Sequence, residues 1–146
     1  MTDPFDLKRF VRAQDPVYGD IQQELARGRK QSHWMWFVFP QVAGLGFSAM
    51  SQRYAIASRA EASAYLAHPT LGPRLIECIR LVLAVEGRTI NVILGAPDDA
   101  KFHSSMTLFD AVSGEPVFDE ALARYFSGER DQATLDILAV LDRKAR

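Results

Sequence analysis

"TLGPRLIECIRLVLAVEG", Thr70–Gly87, decides the fold class. Leu71, Leu75, Ile76, Ile79, Val82 and Leu83 recur at near-helical spacing, which gives one continuous apolar stripe, and Gly87 stops the helix that carries it. Cys78 falls in the same stretch, where a free thiol packs as a small hydrophobe. A stripe of that width has to be covered by other elements. The flanking sequence supplies helices.

Upstream, Ser58 and Glu61 in "SRAEASAYL" form a capping-box pattern, and Pro69 closes that helix after His68. Asp15-Pro16 reads as an N-cap followed by the first helical position of a helix that runs to Gly28, with Val17, Ile21 and Leu25 on its apolar face. Leu7, Phe10 and Val11 mark a shorter helix after Pro4. Downstream, "INVILG" is too short for periodicity to decide and is assigned to helix with Thr89 as its cap. "DDAKFHSSMTLFDAV" opens with acids after Pro97 and places Phe102, Met106 and Phe109 on one face, and two more helices start near Pro116 and Asp131. The sequence contains no Asn-Gly hairpin, strongly alternating run or internal repeat. The expectation is an all-α fold, a single compact multihelical domain over residues 1–146, with Thr70–Gly87 as its central helix.

Composition limits the function classes. The chain has 146 residues, 48% apolar and 24% charged, enough to bury one substantial core. Its 17 basic and 18 acidic residues leave no global positive field, so general nucleic-acid binding is disfavoured. The single cysteine fits a reducing cytoplasm, and no stretch reads as a secretory signal or a membrane span. His33, His68, His103 and Cys78 are widely spaced, so neither a metal site nor a cofactor motif is expected.

Two stretches depart from ordinary helix composition. In "SHWMWFVFPQVAGLG", Ser32–Gly46, the residues from Trp34 to Phe39 would point in every direction on a helix, which leaves that turn no solvent face. Pro40 ends the turn and sends Gln41 onward in an extended path. These aromatics can be plain core, or the wall of a site in which His33, Trp34, Trp36 and Gln41 supply polar groups. The following "GLGFS" leads into a helix expected over "AMSQRYAIA", with Ser48 either as its N-cap or as part of an anion cradle. In "KFHSSMTLF", Lys101, Ser104, Ser105 and Thr107 are unusual for a helix interior, because hydroxyl side chains compete with the backbone. Either the small side chains allow close helix packing, or Lys101, Ser104 and Ser105 line a pocket.

With "SHWMWFVFPQ", "GLGFS", "YAI", "HPTLGPRL", "LGAPDDAKFHSSMTLF" and "DQATLDIL" occurring in that order, the chain resembles the bacterial domain-of-unknown-function 1810 family over nearly its whole length. The resemblance implies a mostly helical intracellular protein and no established activity; Trp34, Trp36, Gln41, Lys101 and Ser105 come over as family-motif residues and not as known catalysts. Some members have carried the label calpastatin. An inhibitor of that kind is extended and disordered, whereas this sequence encodes a core.

The functional expectation is a small-ligand protein, with an enzyme acting on a nucleotide-like or phosphorylated compound as its sharpest form. The ligand-binding candidates are His33, Trp34, Trp36, Gln41, Ser48, Lys101, Ser104 and Ser105, and no catalytic residue is assigned. The competing expectation is a non-enzymatic module that holds a groove for a protein partner. A concave pocket joining the two stretches favours the first, and a flat apolar patch the second.

Overall fold

The computed structural model describes residues 2–145. Among them the chain forms ten helices: α1 (Lys8–Gln14), α2 (Tyr18–Ala26), α3 (Met35–Val38), α4 (Ala49–Arg53), α5 (Arg59–Ala67), α6 (Leu71–Leu83), α7 (Ile90–Leu94), α8 (Asp98–Val112), α9 (Pro116–Phe126) and α10 (Gln132–Lys144). An isolated parallel bridge, Val42 to Ile56, holds the extended segment after Pro40 against the chain that follows α4. The fold is all-α, and no helix among the described residues is long and apolar enough to cross a membrane.

The stripe of α6 is buried through Leu71, Leu75, Cys78, Ile79 and Val82, and the helix packs chiefly on α2, α5 and α9. Burial pushes the Cys78 thiol up to about 12, as expected for a thiol that serves as a small hydrophobe. The helix is capped by an unexpected group. Thr70 makes no capping bond, and the ring Nδ1 of His68 instead accepts from the backbone N–H groups of Thr70 and Leu71 at 3.1 and 3.2 Å.

The central position belongs to α8 and not, as the stripe suggested, to α6. From Phe102 to Phe109 every residue of α8 except His103 is buried, and it packs chiefly on α5, α7, α9 and α10. Its buried hydroxyls make this feasible. Ser104 and Thr107 donate back to the carbonyls of Ala100 and His103 at 3.1 and 2.8 Å, so these small polar side chains are mostly satisfied within the helix itself. Thr107 Oγ1 also accepts from the Asp131 N–H at 2.9 Å, while the Asp131 carboxylate caps α10 through Thr134. Sequence periodicity favours amphipathic helices over a helix enclosed on all sides.

Three local expectations are corrected. Asp15 ends α1 instead of capping α2; its carboxylate pairs with Arg74 at 2.8 Å, and Val17 occupies the N-cap position. The helix expected over "AMSQRYAIA" stops at Arg53, because the Ile56 N–H and carbonyl engage Gln41 and Ala43 across the bridge. The aromatic turn is not closed on all sides: Trp34, Met35, Phe37, Val38 and Phe39 are buried, whereas Trp36 is only partly so.

Candidate functional site

The aromatic turn is positioned from two sides. On one, Gln14 of α1 donates through Nε2 to the Phe37 carbonyl at 2.6 Å and to the Tyr65 hydroxyl at 3.1 Å, which satisfies a carbonyl that the short helix leaves open. On the other, Glu24 of α2 accepts from the backbone N–H groups of Gln31 and Ser32, the Ser32 hydroxyl and the Trp34 indole N–H at 2.5 to 3.0 Å. Burial alone would raise the Glu24 carboxyl. The hydrogen bonds outweigh it and hold the group at about 2.

This anchoring places the segment from Lys30 to Trp36 opposite the start of α8. The Lys30 N–H donates to the Ile93 carbonyl of α7 at 2.7 Å, and its ammonium meets Asp98 at 2.9 Å. Between them lies a cleft of about 390 Å³, walled by Lys30, His33, Met35 and Trp36 on one side and by Ala96, Pro97, Asp98 and Lys101 on the other. Gly95, with φ of +80°, makes the left-handed turn that brings α7 into the second wall.

Lys101 is the least committed charge here. Its side chain is 22% exposed, its nearest carboxylate is Asp98 at 3.9 Å, and its ammonium lies 5.2 Å from the centre of the Trp36 ring. It donates no hydrogen bond among the described residues, although an ammonium has three donors. Lys30 is engaged more fully: it is 8% exposed, bonded to Asp98 and to the Ser32 carbonyl, and 5.0 Å over the Trp34 ring. The buried indole N–H of Trp36 finds no acceptor among the described residues. His33 is exposed at the rim.

Of the sequence candidates, His33, Trp36 and Lys101 share this cleft, and the other five lie outside its lining. Trp34 is 1% exposed and spends its N–H on Glu24, which makes it a support behind the wall. Gln41 is half-buried, and its carbonyl accepts from Ile56. Ser48 caps α4 by accepting from the Ser51 N–H at 3.1 Å. Ser104 is within hydrogen-bond distance of the Ala100 carbonyl and of Asp131, on the side of α8 that meets α10. Ser105 is fully enclosed, and its hydroxyl has no partner among the described residues. Sequence reading misses Lys30, which lies in a short basic run, and assigns Asp98, an acid at a helix start, to its default role in capping. No group of His, Cys, Asp and Glu suited to a metal ion occurs among the described residues.

Residues 4–138 match the family model described as protein of unknown function DUF1810, and the chain belongs to that family. It is similar to a conserved hypothetical protein from Mycobacterium tuberculosis known from its crystal structure, with TM-score 0.93 and 55% identity over 94% of this chain and 99% of that one. A comparison with curated proteins finds no match.

Proposed function

We propose that this DUF1810 protein binds a small anionic, nucleotide-like or phosphorylated compound in the cleft between α3 and the start of α8. The supporting observation is Lys101: a largely enclosed ammonium, on the wall of a concave site, with three donors, a long 3.9 Å ion pair to Asp98 and no hydrogen bond among the described residues. Its contact with the Trp36 ring is worth about 0.5–2 kcal/mol, less than the several charge-assisted hydrogen bonds that phosphate or carboxylate oxygens can accept from it. The two lysines against Asp98 leave the lining with an excess positive charge when His33 is neutral. Trp36 adds a planar apolar surface beside that charge. A groove of about 820 Å³ between α5, α6 and the end of α8 is larger, but its polar lining is acidic, through Glu77 and Glu115, and suits such a ligand poorly.

No reaction follows from this lining. His33 makes no hydrogen bond to an orienting carboxylate among the described residues, and neither serine of α8 reaches the cleft. The competing reading, a module for a protein partner, draws on Phe47, which is 84% exposed in the loop before α4. One exposed aromatic is a small patch for a stable interface.

The test is a calorimetric titration of the purified protein with nucleotides, nucleotide sugars and phosphorylated metabolites. A compound from this set binds, and Lys101→Met and Trp36→Leu each weaken it by about tenfold or more without unfolding the protein. The proposal fails if no compound binds, or if binding is indifferent to both substitutions.

A further inference from the structure

A second concavity, of about 590 Å³, lies where α1 meets the end of α4, and its lining is Asp6, Arg9, Arg12, Ala13, Arg53 and Tyr54. Three guanidinium groups therefore face one carboxylate in a protein whose formal net charge is −1. Such a concentration is a local property of the fold, because Arg53 is 44 residues from Arg9 along the chain.

The three arginines have different standing. Arg9 is fully occupied: Nε donates to the Arg53 carbonyl at 2.9 Å, one terminal nitrogen to the Phe5 and Asp6 carbonyls, and the other to the Ala55 carbonyl and to Glu61 at 2.8 Å. Its charge is neutralised by Glu61, and its work is to pin the backbone of Arg53 to α1. Arg12 follows one turn after Arg9, on the same side of α1. Arg12 and Arg53 make no side-chain hydrogen bond or ion pair among the described residues, and the Arg53 guanidinium lies 5.5 Å over the Tyr54 ring. Elsewhere the arginines that line helix junctions are consumed by them, as with Arg59 on Asp142, Arg74 on Asp15, and Arg130 on Asp110 and Asp119.

We infer that this concavity is a second ligand site for a compact polyanion of the phosphate class, such as pyrophosphate, gripped between the guanidinium forks of Arg12 and Arg53. A planar fork presents paired donors that match the oxygens of a phosphate group, and two forks from different elements suit a polyanion with several oxygens better than a single carboxylate. Arg9 is a positioning residue that holds the two forks around one space. The low-dielectric walls formed by Ala13 and the Tyr54 ring strengthen the field that an entering anion meets. The inference does not depend on the α3–α8 cleft.

The probe is pyrophosphate, titrated calorimetrically at low ionic strength into the natural chain and into Lys101→Met, so that any binding in the other cleft is counted separately. In both backgrounds Arg12→Gln and Arg53→Gln each weaken binding by about tenfold, and together they remove it. Both variants stay close to the natural melting temperature, since neither side chain makes a hydrogen bond or ion pair among the described residues and the contact of Arg53 with the Tyr54 ring is a weak one. Arg80→Gln removes the same charge from a surface pair with Glu120 and changes affinity by less than about twofold. The inference is overturned if pyrophosphate does not bind, if the double substitution binds it as well as the natural chain, or if Arg80→Gln weakens it equally.

Discussion

Glu24 shows how one side chain fixes the path of the chain into a wall of the cleft. It lies on α2, yet its carboxylate gathers the N–H groups of Gln31, Ser32 and Trp34 and so fixes the entry to the aromatic turn. Its carboxyl titrates at about 2 in the folded protein, against an ordinary value of 4.5. Because the folded value is the lower one, the unfolded chain takes up the proton first as the solution is acidified. The stabilisation is therefore complete above about pH 4.5 and is lost as pH falls toward 2. Glu24→Gln should cost about 1.5–3 kcal/mol at neutral pH, the range for hydrogen bonds to a charged group. Urea unfolding followed by tryptophan fluorescence at pH 7 and pH 3 measures this: the gap between variant and natural chain narrows in acid, and a gap of constant size would refute the assignment. A buried indole N–H such as that of Trp34 needs an acceptor. That the partner is Glu24 was not legible, since a glutamate on an amphipathic helix ordinarily faces water.

At the scale of elements, terminal signals were the most readable. Ser48, Ser58, Thr89 and Asp131 all cap the helices that follow them, each by accepting a backbone N–H three residues on. This chemistry is local, so the sequence carries it. Packing between elements is not local. At Gly72, in the first turn of α6, an added methyl would sit 2.1 Å from the carbonyl oxygen of Leu66, so α5 and α6 meet where a side chain has no room. Gly72→Ala forces backbone apart and should cost about 1–3 kcal/mol or more, which thermal unfolding of the folded variant would read. An unchanged melting temperature would mean that the helices separate without penalty. The burial of Ser104, Ser105 and Thr107 follows the same logic, since small side chains let four helices crowd around α8. Their composition flagged the helix as unusual. Whether they served packing or a ligand depended on neighbours that the sequence does not name.

In the whole molecule, the core runs continuously from Leu7 to Leu138, and the cleft is a by-product of how its surface elements meet. Lys30, Asp98 and Lys101 form a chain of charges across that cleft, with Asp98 shared between the two ammonium groups at 2.9 and 3.9 Å. If the cleft receives an anion, Asp98 competes with it. Asp98→Asn should then tighten binding of the anionic compound by several-fold while lowering stability by about 1–3 kcal/mol, because the enclosed Lys30 ammonium loses its ionic partner. Calorimetry and a melting curve on the same sample separate the two effects, and weaker binding would show that Asp98 contacts the ligand itself. Hydrophobic period, helix caps, proline and glycine stops, and near-zero net charge are properties of short windows or of composition. They determined the all-α class and most helix boundaries, and they marked the segments around Trp36 and Lys101 as unusual in composition. The tertiary structure alone decided that α8 and not α6 is enclosed, that Trp34 supports a wall which Trp36 presents, and that Lys30 and Asp98 join Lys101. Each of those facts depends on which surfaces cover one another, and side-chain burial and ion pairing are set by partners far along the chain.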